Sequence, residues 1–415
     1  MNISKLFSNI FCRATVSKAV ASLSLLAIVA FPLASSASAQ IAVRGETVWT
    51  MTGEPITNGV VLVKDGKIEA VGTAAQVRIP DGYRIVNAKV VTPGLIDAHT
   101  VIGLNGYLNQ PHDQMALDGG ASIQPELRAI DAYNAEEKLV EWVRSLGVTT
   151  IHTGHQPSAL VSGQTMIAKT SGKNVDQATV SPLAMVAVTL GQAGLGGQGR
   201  SPGTRAKQAS MLRAELIKAQ EASKKSEPSN DLKTEIMVRV VKREVPLLVT
   251  AEKAQDIITA LRIAKEFNIR IVLDGASDAP LVLSEIKAAG VSVILHPTMA
   301  RPGGDRENLA MTTAKTLKDA GILFAIQSGY EGYVPKTRVV LFEAAMAANA
   351  GLGKRDALAS ITIDAARIIG LESRVGSLAV GKDADIAMYD GDPFEYTTKC
   401  VGTMINGRIV SEEAR

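Results

Sequence analysis

The sequence predicts an α/β protein, a (β/α)8 barrel with a small β-sandwich domain formed from both chain ends. Three observations lead to this prediction. The middle of the chain alternates short apolar strands with amphipathic helices, the pattern of a parallel sheet covered by helices. Both ends show alternating apolar and polar residues typical of β-strands. The 376 residues that follow residue 39 exceed one ordinary domain and suit a barrel with a satellite domain.

Residues 1–39 are predicted to be a cleavable export signal. Three basic residues and no acidic one accompany an apolar stretch at 19–33, and Ala37-Ser38-Ala39 supplies the small-x-small pattern that a signal peptidase recognises. The alternative is a membrane anchor, but the apolar run is shorter than the roughly 20 residues that a span requires. We therefore expect cleavage after Ala39 and a periplasmic or secreted protein.

Charge and cysteine content exclude several classes of function. After residue 39 the chain carries 41 Lys plus Arg against 41 Asp plus Glu, so its formal charge is zero. This balance gives no reason to expect nucleic acid or, after signal cleavage, a membrane as partner. Cys400 is the only cysteine beyond the signal, so no intramolecular disulfide is expected despite export.

The two ends of the chain, residues 40–89 and 374–415, are predicted to form one composite β-domain. In the first, Asp65-Gly66 separates two apolar β-runs, and in the second Asn406-Gly407 does the same. Such dipeptides between β-branched runs are strong hairpin signals. Neither segment could bury much core alone, so we expect them to meet in one domain.

Residues 90–373 are assigned to the barrel. Seven strands are expected there, and an eighth is placed either near 164–169 or near 235–241. The seven candidate strands are Gly94–His99, Thr149–His152, Ala184–Leu190, Pro246–Thr250, Ile269–Leu273, Val291–Leu295 and Ile322–Ile326. The helices predicted between them are Ala135–Leu146, Ala254–Phe267, Ala279–Ala289 and Leu309–Ala320. The glycine-rich stretch at 191–199 lacks the ending of a phosphate-binding loop, and we expect a mobile loop at the barrel mouth.

Several motifs resemble the amidohydrolase superfamily. Pro93-Gly94-Leu95-Ile96-Asp97-Ala98-His99 is similar to that superfamily's first barrel strand. Near the C-terminus, Gly381-Lys382-Asp383-Ala384-Asp385 resembles the return into its β-domain, and Thr362-Ile363-Asp364-Ala365-Ala366 resembles the helix before that return. The motifs occur in the expected order over nearly the whole chain beyond the signal. The likeness is greatest to secreted, imidazolonepropionase-like amidohydrolases.

The resemblance implies a metal-assisted hydrolase, but this sequence departs from the motif. In the superfamily a His-x-His strand end delivers two metal ligands, the metal activates water, and an aspartate of the last strand is the base. Here Val101 replaces the second histidine, Asp274-Gly275 stands in place of His-Gly, and Gln327-Ser328 stands in place of the aspartate. The strand ending at Thr250-Ala251-Glu252 lacks the expected histidines.

Other residues could rebuild a site for at most one divalent metal, Zn or Mn. Four of the five histidines beyond the signal lie at or just beyond expected strand ends, and the fifth, His112, lies in the loop after the first strand on the same side. Carboxylates can replace imidazole as ligands. The predicted metal ligands are His99, His152, His155, Glu252 and His296. The alternatives are packing for His99, loop capping for His152 and His155, strand-end hydrogen bonds for His296, and a helix-start acid for Glu252.

The remaining predicted site residues follow the strand ends. Asp274 is predicted to be catalytic, with helix capping as its alternative. Tyr330 and Glu331 are predicted to be catalytic, Tyr330 as a donor to a developing oxyanion. The predicted substrate contacts are Gln327 and Arg338, the latter as a fork for a carboxylate. An ordinary polar loop is the alternative for this segment. Two further residues are not assigned to the site. His112 lies in the loop after the first strand, and Lys169 is expected to be a surface lysine rather than a metal-bridging one.

Two functions follow from these residues. The first is an exported hydrolase that cleaves an amide or cyclic amide C–N bond in a small polar substrate. The second is a catalytically silent barrel that binds a small molecule or a partner. The missing histidine and aspartate favour the silent barrel, whereas the clustering of histidines on one rim favours the enzyme. Association into a homo-oligomer is left open.

Overall fold

The computed structural model describes residues 40–108, 110–197, 199–225, 229–330 and 339–415. Its strands are β1 (Ile41–Val48), β2 (Ile56–Lys64), β3 (Lys67–Thr73), β4 (Arg84–Pro93), β5 (Leu95–Thr100), β6 (Val148–Thr153), β7 (Val161–Gln164), β8 (Met166–Lys169), β9 (Thr179–Ser181), β10 (Val186–Thr189), β11 (Leu247–Ala251), β12 (Ile271–Gly275), β13 (Val293–Leu295), β14 (Phe324–Ile326), β15 (Ile386–Tyr389), β16 (Cys400–Ile405) and β17 (Arg408–Ser411). Its helices are α1 (Lys138–Arg144), α2 (Val175–Ala178), α3 (Arg205–Ser223), α4 (Leu232–Val241), α5 (Ala254–Phe267), α6 (Leu283–Ala289), α7 (Thr313–Asp319), α8 (Val340–Ala347), α9 (Lys354–Ser360) and α10 (Ile363–Ile368).

Strands from both chain ends pair in one seven-stranded sheet of order β17-β16-β15-β4-β1-β2-β3. The segments expected to build a sandwich thus share a single continuous sheet. Both predicted hairpins form, β2 with β3 and β16 with β17. Asp65 and Gly66 have φ angles of 52° and 78°, and Asn406 and Gly407 have 49° and 73°. Two successive positive φ angles are what a two-residue hairpin turn of type I′ requires.

The middle of the chain forms two further sheets, β14-β13-β12-β11-β10-β7 and β5-β6-β8-β9. The seven predicted strands are all present, and the eighth is the segment 161–169, which contributes β7 and β8. The alternative position, residues 235–241, lies in α4. The two sheets meet where β7 runs on into β8, and an isolated parallel bridge joins Thr100 to Gly329 at their other edges.

The expectation of a uniformly parallel arrangement is wrong at the eighth strand. The segment 161–169 runs antiparallel to both neighbours, β10 and β6. Residues 154–160 connect β6 to β7 without a helix, and parallel neighbours require a crossover of roughly a dozen residues or more. A short connection therefore reverses the chain direction.

The predicted helices are present with revised ends. Ala254–Phe267 is confirmed as α5, whereas α1 and α7 are shorter than predicted. Residues 279–281 form a separate 3-10 turn, so α6 begins only at Leu283. Within the described part of the chain, no helix is long and apolar enough to cross a membrane.

Lys169 is buried, and the expectation of a surface lysine is wrong. Its side chain is about 5% exposed, forms an ion pair with Asp385, and lies 3.7 Å from Asp383. Because β8 is antiparallel, Lys169 pairs with Thr150 near the start of β6. The lysine therefore lies at the opposite end of the strands from the predicted site, where it ties the barrel strands to the β-domain.

A layer of apolar side chains lies directly below the predicted site. Leu248, Val272, Ile294 and Ala325, on four adjacent strands, share one buried cluster. Side chains two residues apart on a strand project to the same face. The next position on that face therefore carries a second layer, which is polar: Thr250, Asp274, His296 and Gln327. This layer is the floor of the candidate site.

Candidate active site

The carboxylate of Asp274 is the centre of the polar layer. It is fully buried, and groups from three other strand ends donate hydrogen bonds to it. His99 Nδ1 lies 2.9 Å from Oδ1, and Gln327 Nε2 lies 2.8 Å from the same oxygen. The Thr250 hydroxyl donates to Oδ2 at 2.6 Å. Asp274 thus connects the end of the first barrel strand to the end of the last.

These contacts keep Asp274 ionised and place a proton on His99 Nδ1. Burial raises the pKa of Asp274, but His99 and the three hydrogen bonds outweigh it, so the pKa is lowered overall. An ionised carboxylate only accepts hydrogen bonds, so His99 must carry a proton on Nδ1. His99 Nε2 is buried and has no hydrogen-bond partner among the described residues. This is the arrangement in which a carboxylate orients an imidazole as a general base.

A second carboxylate, Asp97, fastens the first strand to the last. The Ser328 backbone N–H donates to Asp97 Oδ1 at 3.0 Å, and the Ser328 hydroxyl donates to Oδ2. Burial raises the pKa of Asp97 to about 6, against the effect of those two hydrogen bonds. Because Ser328 follows Gln327, the contact also holds Gln327 in position beside Asp274. Asp97, Thr250 and Ser328 were not among the predicted site residues; only their positions within the altered motifs pointed to them.

Glu252 lies beside the centre. Its carboxylate accepts hydrogen bonds from the Ser277 backbone N–H at 3.0 Å and from the Ser277 hydroxyl at 2.6 Å. Burial raises the pKa of Glu252 to about 7. A Cβ at Gly275, where φ is 77°, would lie 2.7 Å from this carboxylate. The residue after Asp274 must therefore be glycine, both for its backbone and for its neighbour.

His152 is fully enclosed by the protein. Its Nδ1 donates to the Ala98 carbonyl at 2.7 Å, so its Nε2 accepts from the Thr165 hydroxyl, also at 2.7 Å. Burial lowers the pKa of His152 to about 3, which keeps the ring neutral. Its ring centroid is 5.8 Å from that of His99. Both ring nitrogens are engaged in hydrogen bonds, so the ring has a structural role beside His99.

The other histidines divide between the interior and the surface. His296 Nδ1 donates to the Pro297 carbonyl at 2.9 Å, and burial lowers the pKa of His296 to about 4. His155 is also buried, with a lowered pKa, and its ring packs against Gly163. The side chain of His112 is 78% exposed and lies 3.4 Å from Asp113, so it takes no part in the buried centre.

The residues that the structure describes do not fit a metal ion. Among the described residues, no three His, Cys, Asp or Glu side chains are arranged to hold one. His152 has both nitrogens engaged, and the two oxygens of Asp274 already receive three hydrogen bonds. The second histidine of the expected motif is replaced by Val101, which is fully buried. Among the described residues the predicted metal ligands therefore do not form one ligand group, and His99, His152, Glu252 and His296 each bond to a different protein group.

Two predicted residues border the centre, and two cannot be placed. The ring centroid of Tyr330 is 5.7 Å from that of His99. Gln327 contacts Asp274 directly. Glu331 and Arg338, the other catalytic and substrate-binding predictions, lie outside the described residues, as does the export signal at 1–39.

Comparison with known proteins identifies the family. The amidohydrolase family matches residues 104–411, which is most of the chain. The chain belongs to the amidohydrolase family. This membership bears out the predicted resemblance, and it places the chain among hydrolases that act on C–N bonds other than peptide bonds.

Individual relatives support the assignment. An imidazolonepropionase of Shewanella sp. (strain MR-4) is 23% identical over 86% of this chain and 94% of its own. An imidazolonepropionase of Symbiobacterium thermophilum is 24% identical over 87% and 92%. The crystal structure of an amidohydrolase from Thermotoga maritima MSB8 is 27% identical, covers 90% of this chain and 100% of its own, and superposes with a TM-score of 0.84. This agreement supports a TIM-like barrel with a second domain.

Proposed function

We propose that this protein hydrolyses an amide or cyclic amide C–N bond of a small polar substrate, with His99 as general base. The observation that carries the proposal is the hydrogen bond from His99 Nδ1 to the ionised, buried Asp274. In the neutral ring this bond fixes the tautomer, with the proton on Nδ1 and a basic lone pair on Nε2. The curated relatives named imidazolonepropionase favour a cyclic amide over an open one.

The reaction follows from that lone pair. His99 Nε2 takes a proton from a water molecule as the water oxygen bonds to the substrate carbonyl carbon. The carbonyl oxygen becomes negative, and the nearby Tyr330 hydroxyl is the proposed donor to it. His99 then passes its proton to the leaving nitrogen and the C–N bond breaks. The products are a carboxylic acid and an amine, which remain in one molecule when the substrate is cyclic.

We propose that the two mixed sheets close into one eight-stranded barrel that supports this chemistry. The proposal is supported by the continuity of β7 with β8 and by the Thr100–Gly329 bridge. Closure would bring the ends of β5 and β14 side by side, as the contacts of Asp97 with Ser328 require.

We further propose that the protein is exported. The motivation is the signal-like pattern of residues 1–39, with Ala37-Ser38-Ala39 as the cleavage site. N-terminal sequencing of material from a periplasmic fraction is expected to begin at Gln40. Recovery of an uncleaved chain from the membrane fraction would contradict export by cleavage.

The purified chain beginning at Gln40 is expected to open at least one cyclic amide in a panel of lactams, cyclic ureides and imidazolonepropionate. Because the donors among the described residues do not fit a metal, dialysis against a chelator should leave the rate within about twofold. Hydrolysis would be followed by the appearance of the ring-opened acid. If chelation lowers the rate and added Zn or Mn restores it, a bound metal and not His99 activates the water.

The burial of His99 and Asp274 favours the second candidate, a barrel that binds a small molecule without catalysing a reaction. His99 is 1% exposed and Asp274 is fully buried, so a substrate reaches them only if covering groups move. Panel members that raise the thermal unfolding midpoint without being hydrolysed would favour this candidate.

A further inference from the structure

The side-chain amide of Gln327 can have only one orientation. One end of the amide lies 2.8 Å from Asp274 Oδ1 and 3.3 Å from the Ile294 carbonyl oxygen. Both neighbours are acceptors, so the NH2 group must face them. The carbonyl oxygen Oε1 is thereby directed away. It is buried and has no hydrogen-bond partner among the described residues.

His296 presents a second acceptor of the same kind. Its Nδ1 faces the Pro297 carbonyl oxygen at 2.9 Å and so must carry the proton. The His296 ring is about 1% exposed, and burial favours its neutral form. Its Nε2 is therefore a lone pair, also buried and without a partner among the described residues.

These two acceptors lie at the same end of the strands as the proposed base. Gln327 and His99 bond to the same oxygen of Asp274, so the two side chains are immediate neighbours. His296 follows the strand β13, which lies between the strands that end at Asp274 and Gln327. With Nε2 of the neutral His99 ring, three buried acceptors come from neighbouring strand ends. A buried acceptor without a donor is unfavourable, so these strand ends are complementary to a ligand that supplies N–H groups.

We infer that Gln327 selects substrates that carry an N–H beside the scissile carbonyl, with Oε1 accepting that hydrogen and His296 Nε2 accepting a further one. The substrate class is then lactams and cyclic ureides with unsubstituted ring nitrogens. This inference rests on the proposed function and makes it more specific. The residue that stands in place of the family's catalytic aspartate thereby acts in recognition.

The experiment compares an N–H cyclic amide that the enzyme opens with its N-methyl analogue. A site built to bond an N–H group rejects an analogue without it strongly. We therefore expect the wild type to favour the N–H compound by at least about 100-fold in kcat/KM. In Gln327→Met the ratio should fall below about tenfold, mainly through loss of activity on the N–H compound. The matched control is Gln164→Met, a buried glutamine near the start of β10 whose amide donates to the Pro125 carbonyl; it should keep the ratio.

Equal turnover of the two compounds by the wild type would overturn the inference, and so would an unchanged ratio in a folded Gln327→Met. If that variant does not fold, the wild-type ratio alone decides. If the wild type hydrolyses neither compound, the proposed function fails and binding decides the inference. A thermal shift with the N–H compound alone would then support it, and equal shifts or none would refute it.

Discussion

Replacing His99 with asparagine is expected to lower kcat/KM by roughly 10³-fold, which corresponds to about 4 kcal/mol of transition-state stabilisation. The asparagine amide can still donate to Asp274, so the buried carboxylate keeps a partner. What disappears is the lone pair of Nε2, the group proposed to take the proton from water. The measurement is steady-state hydrolysis of a cyclic amide that the wild type opens.

The control for this variant is His112→Asn, because the side chain of His112 is 78% exposed. It should retain wild-type activity. Thermal unfolding should show that His99→Asn is folded at the assay temperature. A folded His99→Asn within tenfold of the wild-type rate would rule out His99 as the base.

Replacing Asp274 with asparagine is expected to lower kcat/KM about as much as His99→Asn does, but by a different mechanism. The asparagine is nearly the same size, but its NH2 group can donate to His99 Nδ1. His99 would then be protonated on Nε2, and the lone pair needed for water would point into the protein. In a serine-protease triad the same exchange costs about 10⁴-fold in kcat, so we expect at least about 10³-fold here.

The tautomer separates this role from a purely structural one. Imidazole ¹⁵N chemical shifts should place the His99 proton on Nδ1 in the wild type and on Nε2 in Asp274→Asn. Asp113→Asn, at a partly exposed carboxylate, is the matched control and should change neither the rate nor the tautomer. Loss of activity with the wild-type tautomer retained would show that Asp274 serves only to hold its neighbours in place.

Short-range sequence patterns were sufficient to predict much of the fold. The strand at 95–100, the helix α5 and the hairpins at Asp65-Gly66 and Asn406-Gly407 follow from periodicity and turn chemistry in a few neighbouring residues. The direction of the segment 161–169 did not follow. The residue types of a strand do not set its direction, and here only the lack of a crossover between this segment and β6 makes it antiparallel.

The same division applies to the site. The sequence by itself determined the family resemblance, the substitutions of the motif at Val101 and Gln327, and the gathering of polar residues at strand ends. Only the tertiary structure decided that Asp274 bonds to His99, 175 positions away in the chain, and that both nitrogens of His152 are occupied. The reason is physical: residue type supplies a donor or acceptor, but its partner depends on which strand ends the fold brings within about 3 Å.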